Sequence, residues 1–372
     1  MKKIVILILI FVCNVISICA VPAEVDEIID ATDAAKILES ENDIFDSFDA
    51  TEFAYNLADG KGVNTESFVK KVLDYFFSSF RRNFKLCLSV VGIAYIMGLY
   101  SNLQDFGGNG VSQAGYMIFY CVLAGVICTA FSGISETTAD SIQNISVMIK
   151  SLMPVLVMLL TTSGAVVSGG LLASVLISIA NIVLLVVEKF VLPLIYCSFA
   201  MSLATNMSDR IKLTKTVPFL HKIIKWVLLF TMIMFSSLFG IYGLSGYTMD
   251  ATAGKLVRFA IGTSVPLVGG IAADSFEAVL STLSIGRTLI GIGGIAVVFV
   301  TLLCPFIESA VVMWIFKLCA VIVEPFSDVR TVKLLSDASE CITMLFATLI
   351  SVALIFIGGI GVVLVTGNFV LR

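Results

Sequence analysis

Apolar residues arrive in long blocks, about 84–101, 112–132, 151–169, 171–187, 190–205, 226–248, 259–273, 288–307, 309–323 and 341–366, with short polar stretches between them. A helix needs about 20 apolar residues to cross a bilayer, and several blocks fall short of that. The pattern predicts an all-α polytopic membrane helix bundle of six to eight spans, the remaining blocks being re-entrant or broken. Ahead of the blocks, Phe68, Val69, Val72, Leu73, Phe76, Phe77 and Phe80 share one helical face, flanked by lysines and arginines. That face fits a helix lying on the membrane surface, and equally one packed in a small soluble domain. Further upstream Ile37, Leu38, Ile44, Phe45 and Phe48 recur at helical spacing, until glycines interrupt the pattern near residue 60.

Composition strengthens the membrane assignment. Of 372 residues 58% are hydrophobic and only 13% charged, about half the charge a soluble domain shows to water. The first residues, "MKKIVILILIFVCNVISICAVPA", have the basic start, apolar run and small-residue end of a secretory signal peptide. Val21 and Ala23 fit a small-x-small site, so cleavage is expected after Ala23, with Ala20 as the alternative. The chain therefore divides into a signal peptide (1–23), an acidic, amphipathic helical leader outside the cytoplasm (24–83) and a polytopic membrane domain (84–372).

Charge sets the expected orientation. Residues 24–60 hold twelve Asp/Glu against one lysine, while the whole chain is only −4, so the membrane body is basic. The strongest cytoplasmic marker is the stretch with Arg210, Lys212, Lys215, Lys222 and Lys225 against a single Asp209. An exported leader requires an odd number of crossings before it. Five spans satisfy this, and so do three. No basic patch with interleaved aromatics points to nucleic acid.

The prolines hint at an internal repeat. Pro154 and Pro193 lie 39 residues apart, as do Pro266 and Pro305, and a shift of 112 residues superposes the two pairs. This predicts a duplication over about 111–225 and 226–345. In the two halves "MPVLVMLLTTSGAVVSGG" would match "VPLVGGIAADSFEAVLST". Proline and glycine free or weaken backbone hydrogen bonds, which lipid cannot satisfy, so both stretches are expected to face inward. Two roles stay open for Pro154, Thr161, Thr162, Ser163, Gly164, Ser168, Gly169, Gly262, Pro266, Gly269 and Gly270: close helix packing, or lining of a transport path.

Ionisable residues inside apolar blocks are functional candidates by default. Asp274 and Glu277, three apart on one helical face, and Glu308, next to Pro305, fall in this class. Glu188 and Lys189 read as an interface marker, and Lys317 as a snorkelling lysine. Enzyme chemistry has little to work with. The single histidine, His221, falls in the basic stretch taken as a loop, and neither H-E-x-x-H nor a phosphate-cradling G-x-x-x-x-G-K-[ST] is present. Seven cysteines outside the signal lie in or beside apolar blocks without C-x-x-C spacing, which favours packing over disulfides or zinc. No cofactor and no metal is expected.

The segments "MPVLVMLLTTSGAVVS", "FAIGTSVPLVGGIAADSFEAVLS" and the ending "VVLVTGNFVLR", behind a signal and an acidic leader, resemble the stage III sporulation protein AE family of endospore-forming bacteria. The resemblance implies a non-enzymatic, multi-pass protein of the mother-cell membrane around the forespore. It implies sister partners AA to AH, one of them a separate ATPase, and a forespore membrane protein, together forming a channel-like, secretion-like conduit. Self-association into a homo-oligomer is compatible with it. The alternative from the residues is a stand-alone transporter with its substrate site at the paired Pro/Gly segments.

Overall fold

The computed structural model describes residues 65–103, 109–162, 166–207, 215–264 and 301–369. These form helix α1 (Thr65–Leu103), α2 (Asn109–Thr162), α3 (Val166–Val186), a π-helical turn (Val187–Val191), α4 (Leu192–Met207), α5 (Thr216–Ser264), α6 (Thr301–Val323) and α7 (Val329–Phe369). Among the described residues there is no strand. Six of the described helical stretches are long and apolar enough to cross a membrane: Val72–Tyr100, Gly115–Ser151, Ser174–Met207, Thr216–Leu238, Thr301–Val323 and Val329–Val362. Three of these described stretches precede the basic stretch at 208–225.

The helices are longer than the apolar blocks suggested. The block at 112–132 and the start of 151–169 lie on one 54-residue helix, α2, about 80 Å of rod. One straight rod cannot cross twice, so these blocks are not separate spans. The polar interval 133–150 joins them because its buried positions, Met148 apart, are small or β-branched. Ile134, Thr138, Ile142, Ile145 and Ile149 sit on the inner face at three- and four-residue spacing. Thr138 and Ser141 donate to the carbonyls of Ile134 and Thr137, at 2.7 and 2.6 Å, and so satisfy themselves within the helix.

The blocks 171–187 and 190–205 also join. Pro193 lacks an amide hydrogen and would crowd the carbonyl of Lys189; the chain widens there into the π turn rather than breaking. Glu188 and Lys189 lie in that turn, both exposed. Likewise α1 runs without interruption through residue 83, so the amphipathic stretch at 66–82 and the first span are a single rod. The chain enters α5 at Thr216, with Pro218 in the first turn where its missing donor costs nothing. His221 is therefore helical, not in a loop.

α7 lies at the centre. Of its most apolar stretch 56% is buried, against 22–39% in the other spans, and it packs on α5, α4 and α2. α3 packs along α2 and α5, and α1 along α2. One contiguous core of aliphatic and aromatic side chains joins them all. On α5, Val217, His221, Ile224, Leu228 and Phe235 face inward, while Trp226, Leu229, Phe230, Ile233 and Met234 form an exposed apolar stripe. Such an outer face suits lipid, which competes no better or worse than leucine for leucine.

Candidate functional site

Polar side chains come together at two places where helices distant in sequence meet. The first joins α4, α5 and α7. Ser202 and Asn206 sit one turn apart on α4 and are buried. Ser202 Oγ donates to Asp337 Oδ2 at 2.9 Å, and Asn206 Nδ2 donates to the same oxygen at 3.1 Å. Asn206 Nδ2 also reaches the Ser202 carbonyl at 2.9 Å. One turn along α7 from Asp337, Glu340 Oε2 lies 3.0 Å from His221 Nδ1, and Cys341 Sγ lies 3.5 Å from His221 Nε2. The Nδ1–H tautomer satisfies both contacts: Nδ1 donates to the carboxylate and Nε2 accepts from the thiol.

Thiol, imidazole and carboxylate in that order also describe a cysteine nucleophile and its base. Cys341 has no exposed surface, so no substrate meets its sulfur in this packing. The arrangement instead binds α5 to α7. Nearby, Tyr120 Oη donates to the Leu203 carbonyl at 2.7 Å, Ser135 Oγ donates to Tyr196 Oη at 2.5 Å, and Phe131 stacks on Phe199 at 4.0 Å. These contacts fasten α2 to α4.

The second place joins α1 to α6. Glu308 accepts from Arg82 in an ion pair and from Tyr75 Oη at 3.3 Å. Farther along, Cys319 Sγ lies 3.2 Å from Cys87 Sγ, both buried. Gly98 then meets the α6–α7 turn so closely that a Cβ there would overlap the Phe326 backbone carbonyl. Among the described residues, no group of three His, Cys, Asp or Glu side chains is placed to hold a metal ion.

The sequence-derived candidates fall as follows. Glu308 is partnered rather than lone. Pro154 lies inside α2, which continues to Thr162, and its ring is exposed, as is Met158 one turn on. Thr161 and Thr162 end α2, Ser168 and Gly169 lie in the first turn of α3, and Gly262 lies near the end of α5. Ser163, Gly164, Pro266, Gly269, Gly270, Asp274 and Glu277 lie outside the described residues, as do the signal peptide and most of the leader. The site that sequence reasoning missed is the α4–α5–α7 cluster. Its signal was present: a serine and an asparagine four apart in an apolar helix, and Asp337 and Glu340 three apart on another.

A sequence profile described as "Stage III sporulation protein AE" matches residues 48–367. The chain is 26% identical over 309 residues to "Stage III sporulation protein AE" of Bacillus subtilis (strain 168), covering 83% of this chain and 77% of that relative. No solved structure matches it. A profile that spans nearly the whole described bundle, and a relative aligned over most of both chains, place this protein in the stage III sporulation protein AE family.

Proposed function

We propose that this chain is a non-enzymatic, multi-pass membrane scaffold in a channel-like complex joining mother cell and forespore. In this reading its signal peptide and acidic leader are exported, and its body sits in the mother-cell membrane. Other stage III sporulation proteins, among them a separate ATPase, and a forespore membrane protein dock on it. The observation that carries the reading is that ionisable groups within the bundle bond across helices: Arg82 with Glu308, His221 with Glu340, and Asp337 with Ser202 and Asn206. Ionisable groups satisfied by partners on neighbouring helices fix helix register, as a scaffold requires. The small and polar residues at the α2–α3 junction, from Thr161 to Gly169, belong to the same reading as close-packing positions.

A charge swap in sporulating cells tests it. Arg82→Glu and Glu308→Arg should each lower the level of assembled protein and the spore yield, and the double swap should restore both. A carboxylate that handled a solute would not be rescued by moving it to the other helix. Solute flux through vesicles holding this chain alone would support a stand-alone transporter and overturn the scaffold.

A further inference from the structure

A narrow groove runs down the outside of the bundle where α1 meets the tip of α6. Leu88, Gly92 and Tyr95 form one wall, and Ile322, Val323 and Phe326 the other, around a cavity of about 260 Å³. Tyr95 and Phe326 close one end edge to face, 5.8 Å between ring centres. Leu88, Tyr95, Ile322 and Phe326 are all exposed. The lining offers almost no polar partner, so ordered water gains nothing there.

Two features point to the occupant. Residues 81, 85, 88, 92 and 95 follow four- and three-residue spacing, so Arg81 and Lys85 stand on the same stripe of α1 as the groove wall, just beyond its open end. Both are exposed, and neither has an acidic partner among the described residues. Their neighbour Arg82, by contrast, is spent on Glu308. The acidic Glu324 stands at the opposite, Phe326 end. The groove is thus apolar along its length with a positive mouth, about 15 Å from Lys85 to Tyr95.

The second feature is Gly92. A side chain added there meets nothing within 4 Å, so packing against this chain does not require glycine. Glycine in a helix interior costs about 0.5–1 kcal/mol relative to alanine. What its missing side chain does is keep the groove open.

We propose that this groove holds an anionic phospholipid, one acyl chain between Gly92 and Ile322 and the phosphate against Arg81 and Lys85. The hydrocarbon meets hydrocarbon, and the headgroup charge is matched where the groove opens. A zwitterionic lipid of the same tails would enter the same channel but gain less from the two cations.

The test uses the full chain in nanodiscs with phosphatidylglycerol or phosphatidylcholine, each carrying a photoreactive diazirine on one acyl chain. Crosslinked peptides are read by mass spectrometry. Label should concentrate on residues 88–95 and 322–326, and more strongly from phosphatidylglycerol. Filling the groove in steps, Gly92→Ala, Gly92→Leu and Gly92→Phe, should reduce that label progressively, while label on the outer face of α5 around Phe230 stays constant and reports an intact fold. Arg81→Gln and Lys85→Gln should each cut the preference for phosphatidylglycerol about fivefold. Equal labelling by the two lipids would reduce the site to ordinary annular contact, and indifference to the Gly92 series would mean that the chain lies elsewhere. Label on α5 but none in the groove would show that something other than lipid fills it. Each of these outcomes overturns the proposal.

Discussion

Removing Asn206 tests the cluster that joins α4 to α7. Its amide is buried, and it gives one hydrogen bond to the Ser202 carbonyl and one to the Asp337 carboxylate. A hydrogen bond to a charged group contributes about 1.5–3 kcal/mol in soluble proteins. Interhelical bonds measured inside membrane bundles are weaker, averaging about 0.6 and reaching about 1.7 kcal/mol. A buried, charge-assisted contact belongs at the upper end of that second range, so the Asn206–Asp337 coupling should be about 1.5 kcal/mol, roughly tenfold in the folding equilibrium. Asn206→Leu should cost about 2 kcal/mol, because Asp337 keeps only the Ser202 donor. Asp337→Leu should cost a similar amount, about 2 kcal/mol, by stranding an amide and a hydroxyl. The double variant should then cost about 1.5 kcal/mol less than the two single costs added together, because no polar group is left looking for the other. The assay is reversible unfolding of the purified chain in mixed micelles with rising dodecyl sulfate, followed by helicity, for all four proteins. An additive cycle, within about 0.3 kcal/mol, would refute the claim that the tie does structural work.

Three further outcomes follow from packing. Gly98→Val should lower the unfolding midpoint by about 1–3 kcal/mol of stability, since its Cβ would overlap the Phe326 carbonyl; Gly125→Val, where nothing lies within 4 Å, should not, and melting of both variants in one detergent checks the difference. A lipid-soluble oxidant should close a Cys87–Cys319 disulfide, two thiols giving up two protons and two electrons, visible as a mobility shift that Cys87→Ser abolishes. A cysteine at residue 140, on the exposed polar face of α2, should react with a membrane-impermeant maleimide, whereas one at residue 122, exposed among apolar side chains, should not.

Local pattern carried the class of fold and missed its joints. The apolar blocks marked where lipid-facing helix would be, and the six membrane-length helical stretches among the described residues fall within the expected range. The joints stayed hidden for specific reasons. Ser135, Thr138 and Ser141 look like loop residues by composition, yet each is small enough for a buried face and finds a hydrogen-bond acceptor without leaving the helix or its neighbour. Pro193 looks like a break, and the π turn before it absorbs the lost donor. Glu308 looked lone because Arg82 is 226 residues away in sequence. His221 reads as a loop residue from its basic neighbours, whereas the chain is already helical from Thr216, with Pro218 in the first turn.

Rod length explains why the polar ties sit where they do. α2 is 54 residues and α5 is 49, about 80 and 70 Å of helix against roughly 30 Å of hydrocarbon. Much of each rod must therefore lie outside the bilayer core, where water weakens a purely apolar seam less than it weakens an isolated hydrogen bond. The structure follows that rule. Tyr120 to Ile149 on α2 keeps an inner face of aliphatic, aromatic and small hydroxyl side chains, and Glu136, Asp140 and Gln143 face outward on the same segment. The most enclosed hydrogen-bonded ties sit at points that the core already covers, Asn206 and Ser202 under α7 and His221 against Cys341, while Arg82 and Glu340 reach the surface. Apolar packing thus supplies the adhesion along rods longer than the membrane is thick, and the few buried polar pairs set their register. A bundle built this way keeps its helices in register over lengths greater than the thickness of the bilayer core.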